Sequence, residues 1–321
     1  MLDELNISWV NEDYFPFNML YRSDTTRVVH MYAISPNIRI LKCLTPRDHV
    51  IANITWDYDR HEFVMAKRIL EMFELDLNKV HILCNTELQV KIATKVGLSA
   101  YLMNQNALIN DELFKIKTTE KKYDAVMNAR MAEFKRPELA KKVPNLALIA
   151  GIRTGENRYC DPETIPHRYL SKGFLYPIEV RTVLNQSKVG LILSEKEGAC
   201  FASSEYLLTG LPVVSTKSTG GRDTWYNEEN AVICDATPEA VRDATLTAIE
   251  KLETGVMKPK RIREMHLEQA KPHRRVFCEI LNRIFDDIGI TVDSRKLFRH
   301  KLPHLSCSIY KRWNQVMKLL A

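Results

Sequence analysis

Two glutamates eight positions apart, Glu197 and Glu205, lie between two short runs of apolar and β-branched residues, and this arrangement constrains the fold more than any other part of the chain. Residues 189–194 and 211–215 are each short and apolar, as buried strands of a parallel sheet are. Between them there is room for one loop and one short helix, which we expect to close at Gly210. The sequence therefore predicts a strand, loop, helix and strand within a parallel α/β sheet.

The loop after the first of these strands has the composition of an anion-binding site. In open α/β sheets, ligands bind beyond the carboxyl ends of the strands, so we expect Glu197 to face a ligand crevice. Gly198 permits close approach of the backbone to a ligand. The amides of Ala199, Cys200 and Phe201 would point from the helix N-terminus at an anion such as a phosphate.

The second glutamate lies farther along the predicted helix. A carboxylate accepts two hydrogen bonds side by side, so Glu205 would hold the adjacent hydroxyls of a ribose while Glu197 addresses a second sugar. The alternative is that both glutamates are solvated surface residues, as most glutamates are. The neighbouring loop and glycine signals favour a binding site.

The segment from about residue 189 to 233 resembles the donor-binding half of retaining glycosyltransferases of the GT-B fold, most closely family 4. In that family a glutamate, seven residues and a second glutamate precede a Gly-Leu-Pro-Val-Val strand. Glu197 and Glu205 have this spacing, and residues 210–214 have this sequence. Gly220 and Gly221 match the double-glycine loop of the family.

The resemblance implies an α/β protein of two Rossmann-like domains, with parallel sheets facing across a cleft. The N-terminal domain predicted for this chain is shorter than the resemblance implies. It also implies transfer with retention of configuration, in which the leaving phosphate helps to deprotonate the acceptor and no protein nucleophile, cofactor or metal is required. Ala199 and Cys200 depart from the family, which usually has an aromatic residue and a glycine at these positions.

Two cations follow another predicted strand. Arg130 and Lys135 come after residues 123–127, and their spacing resembles that of the arginine and lysine that grip the donor diphosphate in the family. Two fixed cations would stabilise the negative charge that grows on a leaving diphosphate without a metal. The alternative is the solvated start of a basic helix. The amides of Gly220 and Gly221 would complete the phosphate cradle, although an ordinary tight turn explains that pair equally well.

The length of 321 residues predicts two domains. We place an acceptor-binding domain at residues 1–119 and a donor-binding domain at residues 120–321, the latter with a basic helical tail from about 256 to 321. The polar and charged residues 115–122 would form the linker between them.

Strand-like runs alternate with helical stretches along both predicted domains, which is typical of parallel sheets wound with helices. In the first domain we predict strands at residues 27–35, 38–44, 49–56, 80–85 and 98–103 and helices at 62–73 and 86–96; in the second, further strands at 123–127, 146–151 and 231–234 and helices at 138–142, 178–186 and 238–252.

The overall composition is that of a soluble globular protein, with 45% hydrophobic and 27% charged residues. Seven cysteines are scattered without a C-x-x-C pair or metal-ligand spacing, so we expect reduced thiols and a cytoplasmic location. The start of the sequence lacks the pattern of an export signal. No run approaches the roughly 18 apolar residues of a membrane span.

The best candidates for acceptor contacts are Asp57, Asp59 and His61, which follow a predicted strand of the first domain. His61 has the chemistry to shuttle a proton near neutral pH. The two aspartates would equally well cap the helix that begins near residue 62. An Asp-x-Asp pair also has the composition of a metal site, but this one lies in the wrong domain for the diphosphate, and we expect no metal.

The C-terminal tail is basic, with seven Lys or Arg and one acid, Asp293, between residues 291 and 321. Its last helix would have two sides, an apolar one with Ile309, Trp313, Val316, Met317 and Leu320 and a polar one with Lys311, Arg312, Gln315 and Lys318. Such a helix would lie on an anionic membrane or pack against a protein core, and in related transferases the last helix returns to the first domain. We expect no nucleic-acid partner, because no aromatic platform accompanies the charge.

Together these features predict transfer of a sugar from a nucleotide-diphosphate sugar to a glycan or lipid-linked acceptor, in cell-surface polysaccharide or glycoconjugate synthesis at the cytoplasmic face of the membrane. Residues 167–175 would contact the base. The alternatives are a nucleotide-sugar epimerase and a non-catalytic nucleotide-sugar binding subunit on the same fold. A nicotinamide dehydrogenase is disfavoured, because no G-x-G-x-x-G follows the first strand.

Overall fold

A computed structural model describes residues 15–151, 159–173, 175–293 and 310–321. The chain divides into two compact units. The N-terminal unit comprises residues 1–108 and 272–321, and the C-terminal unit comprises residues 109–271. These limits differ from the predicted 1–119 and 120–321, because the end of the chain packs with the N-terminal strands and residues 109–119 pack with the second unit.

The N-terminal unit contains a six-stranded sheet with helices between its strands. The strands are β1 (Phe15–Arg22), β2 (Arg27–Tyr32), β3 (His49–Asn53), β4 (Val80–Cys84), β5 (Ser99–Leu102) and β14 (Tyr310–Lys311); the helices are α1 (Ile38–Leu41), α2 (Arg60–Met72), α3 (Glu87–Val96) and α8 (Trp313–Leu320). The order in the sheet is β14-β1-β2-β3-β4-β5. The strands β2 to β5 are parallel and follow one another in chain order, whereas β1 is antiparallel both to β2 and to β14.

Strand order decides which face of this sheet each helix covers. Parallel crossovers are right-handed, so helices that connect strands stepping in one direction all lie on the same face. Val50 and Ile82 accordingly share a buried cluster with Phe63 of α2. On the opposite face, Ile51 packs in a second cluster with Phe277, which belongs to the long helix α7 (Pro259–Asp287).

The last helix, α8, contributes to the first of these clusters. Val316 and Leu320 are buried there, and the rings of Phe15 and Trp313 are 5.2 Å apart. Part of the apolar side predicted to lie on a membrane or a core therefore faces a protein core, whereas Met317 on the same side is 39% exposed and residue 309 lies outside the described residues. The four basic residues of the tail between positions 295 and 301 lie outside the described residues.

The predicted strand at residues 38–44 is wrong, because residues Ile38–Leu41 form helix α1. The preceding turn, Ser35–Asn37, places a proline in its first turn, and the side chain of Asn37 donates to the carbonyl oxygens of Tyr32 and Ala33. This turn changes the direction of the chain. The residues that follow form a single helical turn, and its apolar residues Ile38, Ile40 and Leu41 are buried. Strand β1 was not predicted.

The C-terminal unit contains a second six-stranded sheet and a separate pair of short strands. The strands are β6 (Tyr123–Arg130), β7 (Leu146–Gly151), β8 (Tyr169–Leu170), β9 (Ser187–Ile192), β10 (Lys196–Glu197), β11 (Val213–Thr216), β12 (Thr219–Gly220) and β13 (Ala231–Cys234); the helices are α4 (Pro177–Asn185), α5 (Phe201–Leu208) and α6 (Pro238–Glu253). The order in the sheet is β13-β11-β9-β6-β7-β8, and all its strands are parallel. The short strands β10 and β12 pair with each other in parallel.

The strand order of this second sheet reverses between β6 and β9. The chain proceeds from β6 outward to β7 and β8, then returns to the other side of β6 and proceeds outward again through β9, β11 and β13. This is the doubly wound arrangement, and ligands of such sheets bind beyond the carboxyl ends of the strands at the reversal. The strand, loop, helix and strand predicted around the glutamate pair are confirmed as β9, α5 and β11.

Two local predictions for this unit are wrong. The predicted helix at residues 138–142 is a 3-10 turn at Pro137–Ala140, because Pro144 soon afterwards prevents a helix from continuing. The predicted linker at 115–122 is fixed to the unit. The amide of Lys117 donates to Oδ1 of Asn185 at 2.6 Å, and Nζ of Lys121 donates to the carbonyl oxygen of Ser187 at 2.7 Å.

Candidate active site in the C-terminal unit

A small pocket lies at the reversal of the C-terminal sheet, beyond the ends of β6 and β9. Its volume is about 10 Å³, which leaves room for at most about one water molecule. The pocket is lined by residues from the ends of both strands and from the turns that follow them: Met127, Asn128, Ala129, Lys135, Leu191, Ile192, Leu193, Ser194, Glu197 and Cys200. Three of the predicted site residues, Lys135, Glu197 and Cys200, thus meet there.

Lys135 and Glu197 form an ion pair across this pocket. The exposed fractions of their side chains are only 14% and 7%. Burial lowers the pKa of Lys135, but its neighbours Cys200 and Glu197 more than compensate, so the pKa is raised and the ammonium stays charged. Lys135, assigned to the donor diphosphate, and Glu197, assigned to the sugar, are therefore bound to each other.

Arg130 lies beside Lys135, because β6 continues to Arg130 and a 3-10 turn at Glu133–Lys135 follows. The guanidinium of Arg130 is 5.4 Å from the centre of the Phe134 ring, and Nζ of Lys135 is 5.3 Å from the same centre. The aromatic ring thus holds both cations at the strand end. The alternative of a basic α-helix start does not apply.

Glu205 lies on α5, where its Oε2 accepts a hydrogen bond of 3.0 Å from Nδ2 of Asn128. Burial raises the pKa of Glu205 to about 7, although the bond from Asn128 lowers it. The amide of Asn128 donates to Oη of Tyr206 at 2.7 Å. A Cβ atom at Gly190 would overlap the Tyr206 ring, so glycine is required for α5 to approach β9. Sequence reasoning missed Asn128 and Tyr206, whose partners are distant along the chain.

The loop that carries Glu197 is joined to the double-glycine loop. Strands β10 and β12 pair Glu197 with Gly220, and the amide of Gly221 donates to the carbonyl oxygen of Gly198 at 2.8 Å. Gly220 has φ +94°, a conformation that favours glycine. The amide of Gly221, predicted to bind phosphate, is thus engaged within the protein.

Arg222, which sequence reasoning also missed, is fully buried behind this loop. Its Nη1 donates to the carbonyl oxygen of Ser194 at 2.7 Å and its Nη2 to that of Thr216. Its Nε donates to Oδ1 of Asp223 at 2.7 Å. Arg222 therefore ties together the ends of β9 and β11, between which the Glu197 loop begins.

A second arginine performs the same task on the other side of the pocket. Arg136 directly follows Lys135 and has φ +48°. Its Nε donates to the carbonyl oxygen of Leu193 at 2.7 Å, and its Nη2 donates to Oγ1 of Thr216 at 2.7 Å. The backbone on both sides of the ion pair is thus anchored to the same strand ends.

Cys200 precedes α5 with φ +57° and ψ +91°. This left-handed region favours glycine, which the resembled family usually has at this position. Burial raises the pKa of the Cys200 thiol to about 12, so the group is neutral. The predicted anion-binding neighbours Ala199 and Phe201 are buried and half-buried respectively.

A larger pocket, of about 510 Å³, lies farther along the same edge of the C-terminal sheet. It borders the ends of β7 and β8, where Oγ of Ser171 accepts a 3.1 Å bond from the amide of Ala150. Its lining includes Asp161, Glu163, His167, Arg168, Ser171, Lys172 and Gly173. The segment predicted to contact a base, residues 167–175, thus borders a cavity, apart from residue 174, which lies outside the described residues.

One of the three acceptor candidates in the N-terminal unit, Asp59, has a structural role. Asp59 caps α2, accepting bonds from the amides of His61 at 2.6 Å and Glu62 at 3.2 Å. Oε2 of Glu62 accepts in return from the amide of Asp59. Asp59 therefore acts as the helix cap that was the alternative to an acceptor contact. Asp57 is half-buried and His61 is exposed.

Buried amide side chains occupy the strand ends of the N-terminal sheet. Nδ2 of Asn85 donates to the carbonyl oxygen of Ile54 at 2.6 Å, and Oδ1 of Asn85 accepts from the amide of Gln105 at 3.0 Å. Nδ2 of Asn104 donates to the carbonyl oxygen of Asn85 at 3.4 Å. Like the ionic groups at the corresponding edge of the C-terminal sheet, these amides bond to the protein itself, but they carry no charge.

Two kinds of feature are absent from the part of the chain that the structure describes. No helix within the described ranges is both long and apolar enough to cross a bilayer. In the same ranges, no group of three or more histidine, cysteine, aspartate or glutamate side chains is placed to hold a metal ion.

No protein-family model matches the chain, and no curated protein matches it in sequence. Solved structures do match. HepE from Anabaena in complex with UDP is 12% identical with a TM-score of 0.59, over 79% of this chain and 78% of that one. TarM is 14% identical with a TM-score of 0.58, over 79% of this chain and 54% of TarM, so the match spans about half of that protein.

A third match is sucrose-phosphate synthase from Thermosynechococcus elongatus, which is 12% identical with a TM-score of 0.53, over 81% of this chain and 73% of that one. These neighbours are glycosyltransferases of the GT-B fold. The chain therefore has an α/β fold with parallel sheets that matches the GT-B glycosyltransferases, as its sequence predicted.

Proposed function

We propose that this protein transfers a sugar from a nucleotide-diphosphate sugar to a hydroxyl acceptor, using the site at the reversal between β6 and β9. The observation that carries the proposal is the meeting, at this one edge, of two cations and two carboxylates: Arg130, Lys135, Glu197 and Glu205. This edge is where doubly wound sheets bind nucleotides. The GT-B fold of the chain agrees with this proposal.

Each group has a role that matches its position. Arg130 and Lys135 would neutralise the diphosphate, with the N-terminus of α5 and its first amides nearby. Glu205 would accept bonds from the ribose hydroxyls, and Glu197 would orient the transferred sugar. The pocket of about 510 Å³ would take the base.

The proposed chemistry retains configuration and needs no metal. The bond between the anomeric carbon and the phosphate oxygen breaks, and the acceptor oxygen forms its bond to that carbon on the same face. The acceptor proton passes to an oxygen of the leaving phosphate. Arg130 and Lys135 stabilise the charge that develops on that phosphate, which is the largest contribution a site of this kind makes.

The ligands of the fold neighbours support a choice of donor and acceptor classes to test. HepE has been crystallised with UDP, with UDP and glucose, and with UDP-glucose, and a TarM mutant has been crystallised with α-GlcNAc-glycerol and UDP. We infer a uridine sugar nucleotide as the first donor to test and a glycan or lipid-linked acceptor, in polysaccharide or glycoconjugate synthesis. Contact with an anionic membrane would rest on the basic residues of the tail, since part of the apolar side of α8 is buried.

A second candidate is a subunit that binds a nucleotide sugar without transferring it. The strand ends of the N-terminal unit favour this candidate, because amide side chains such as Asn85 and Asn104 there bond to the backbone of the protein. The two candidates predict different products: a transferase releases nucleotide diphosphate in proportion to acceptor, whereas a binding subunit releases none.

The test begins with a thermal-shift panel of UDP, GDP, UDP-glucose, UDP-N-acetylglucosamine and GDP-mannose, because a ligand that binds the folded state raises its melting temperature. Acceptor-dependent release of the nucleotide is then measured with the stabilising donor. A transferase should lose this activity in Glu197→Ala while remaining folded. Near-normal turnover in that variant would contradict the assignment of Glu197 to the active site.

A further inference from the structure

We propose that Glu197 competes with the donor diphosphate for Lys135, and that this competition makes the site favour a nucleotide sugar over the nucleotide diphosphate left after transfer. The inference rests on the proposed function and adds a selection step to it. The observation behind it is that the lysine and the glutamate, assigned to different parts of one ligand, are paired with each other at a pocket of only about 10 Å³.

The pair is shielded from water. The side chains of Lys135 and Glu197 are 14% and 7% exposed. A buried charge that loses its partner is strongly destabilised, whereas an exposed one is simply solvated. A ligand that binds Lys135 in place of Glu197 must therefore also offer a hydrogen-bond donor to the carboxylate of Glu197.

The two kinds of nucleotide differ in this respect. A nucleotide diphosphate offers oxygens to the ammonium of Lys135 but no donor to the carboxylate of Glu197. A nucleotide sugar offers the same oxygens together with sugar hydroxyls, which donate hydrogen bonds to a carboxylate. The sugar therefore offsets the loss of the ion pair, and the bare diphosphate does not.

The backbones of both residues are anchored to the protein. That of Glu197 is fixed by the pairing with Gly220, by the bond between Gly221 and Gly198, and by Arg222 behind the loop, and that of Lys135 is fixed by its neighbour Arg136. Their side chains differ in length. Lys135 reaches the pair through a flexible four-carbon stem. When a ligand binds, the ammonium of Lys135 therefore moves towards it, and the carboxylate of Glu197 keeps its position.

The same competition assists product release. Once the sugar has left, the carboxylate of Glu197 again lacks a donor, and re-forming its pair with Lys135 displaces the diphosphate. Product release limits turnover in many enzymes, so a built-in competitor for the product would raise the rate.

The experiment compares affinities by calorimetric titration of the full chain with UDP, GDP, UDP-glucose and GDP-mannose. Glu197→Gln keeps the shape of the side chain and removes its charge. We expect its affinity for the nucleotide diphosphate to rise about tenfold, as release of a buried charge pair allows. The affinity for the matching nucleotide sugar should rise less or fall. The preference for the sugar form should therefore shrink.

Two controls isolate the pair. Glu195→Gln removes the same charge from an exposed position in the same loop, and it should leave both affinities unchanged. In a Lys135→Gln background, Glu197→Gln should no longer tighten binding of the diphosphate, because the contested cation is gone. Should Glu197→Gln fail to fold, Glu197→Asp retracts the carboxylate and should shift the ratio in the same direction by a smaller factor.

The outcomes separate this inference from the proposed function. If the wild type binds no nucleotide of the panel, the donor site itself is refuted, and the inference with it. If the wild type binds nucleotides but Glu197→Gln leaves the ratio of affinities unchanged, the competition is refuted and the donor site stands. An equal gain in Glu195→Gln would also refute the competition, because it would reflect net charge alone.

Discussion

The two units of this protein are both built from parallel strands and helices, yet they treat the carboxyl ends of their strands in opposite ways. In the C-terminal sheet the strand order reverses between β6 and β9, and ionic side chains collect at that point. In the N-terminal sheet β2 to β5 proceed in one direction, and amide side chains such as Asn85 bond the ends to one another. The two sheets therefore differ in topology at the place where their charged side chains differ, and we propose the active site at the reversal of the C-terminal sheet.

Each unit contains a buried titratable group whose pKa is strongly shifted. The N-terminal unit buries histidine: His30 lies between Asn18 and Asn53, and burial lowers its pKa to about 4 despite its bond to Asn53. The C-terminal unit buries a carboxyl group, and burial raises the pKa of Glu205 to about 7. Acid should therefore act on the two units through different groups.

The largest expected effect is on turnover. Lys135→Ala removes a cation from the proposed diphosphate site, and we expect kcat to fall by about a thousandfold with the fold retained. Lys141→Ala, which alters an exposed lysine of the same unit, is the matched control and should retain wild-type activity. Steady-state rates and circular dichroism melting of both variants make the measurement. Equal losses in the two would contradict the site.

Arg222→Met should cost stability and activity together. The guanidinium joins the ends of β9 and β11 from a fully buried position, so its loss leaves buried carbonyl groups without donors. We expect the free energy of unfolding to fall by about 3 kcal/mol. Chemical denaturation measures this fall. A variant as stable as the wild type would show that these bonds contribute nothing.

Acid should weaken the N-terminal unit through His30. The unfolded chain takes up a proton at this residue below about pH 6.5, whereas the folded protein does so only near pH 4. The free energy of unfolding should therefore fall as the pH falls through this range, by on the order of 3 kcal/mol. Burial also lowers the pKa of His81, in the same unit, to about 4. His30→Gln, compared by denaturation at both ends of the range, should therefore reduce the dependence without abolishing it, and an unchanged slope would assign the dependence to other groups.

Acid should also weaken donor binding in the C-terminal unit. Glu205 accepts the proposed ribose bonds only when ionised, and its pKa is about 7. The affinity for the donor should fall about tenfold between pH 8 and pH 6. Titrations at the two pH values test this, and Glu205→Gln should bind weakly with little pH dependence. A wild-type affinity independent of pH would argue against the ribose role.

The smallest expected effect concerns the helix cap in the N-terminal unit. Asp59→Ala removes the bonds to the first turn of α2 and should lower the free energy of unfolding by about 1 kcal/mol. We expect turnover to stay at the wild-type level. A large loss of activity without loss of stability would instead restore Asp59 as an acceptor contact.

Local sequence patterns predicted much of the fold correctly. The apolar runs before Glu197 and after Gly210 correspond to β9 and β11, and the helix between them ends as its closing glycine indicated. The failure at residues 38–44 is instructive, because alternating isoleucines resemble a strand. The turn stabilised by Asn37 overrides that pattern.

The supporting residues of the site could not be predicted in the same way. Tyr206 bonds to Asn128 across 78 positions of the chain, and Arg222 reaches Ser194 across 28. Nothing in the local sequence distinguishes a buried arginine from a solvated one. The strand reversal that brings these residues together is a property of the whole sheet, and the roles of the four charged residues stay predictions until they are tested.

The most direct test of the contrast between the two units is hydrogen exchange of the full chain with and without a bound nucleotide sugar. We predict that the ligand slows exchange at residues 127–136 and 196–206, beside β6 and α5 of the C-terminal unit. The strand ends of the N-terminal unit, at residues 53–61 and 104–108, should change less when no acceptor is present. Protection confined to those N-terminal segments, with none around Lys135 and Glu197, would contradict the assignment of the donor site.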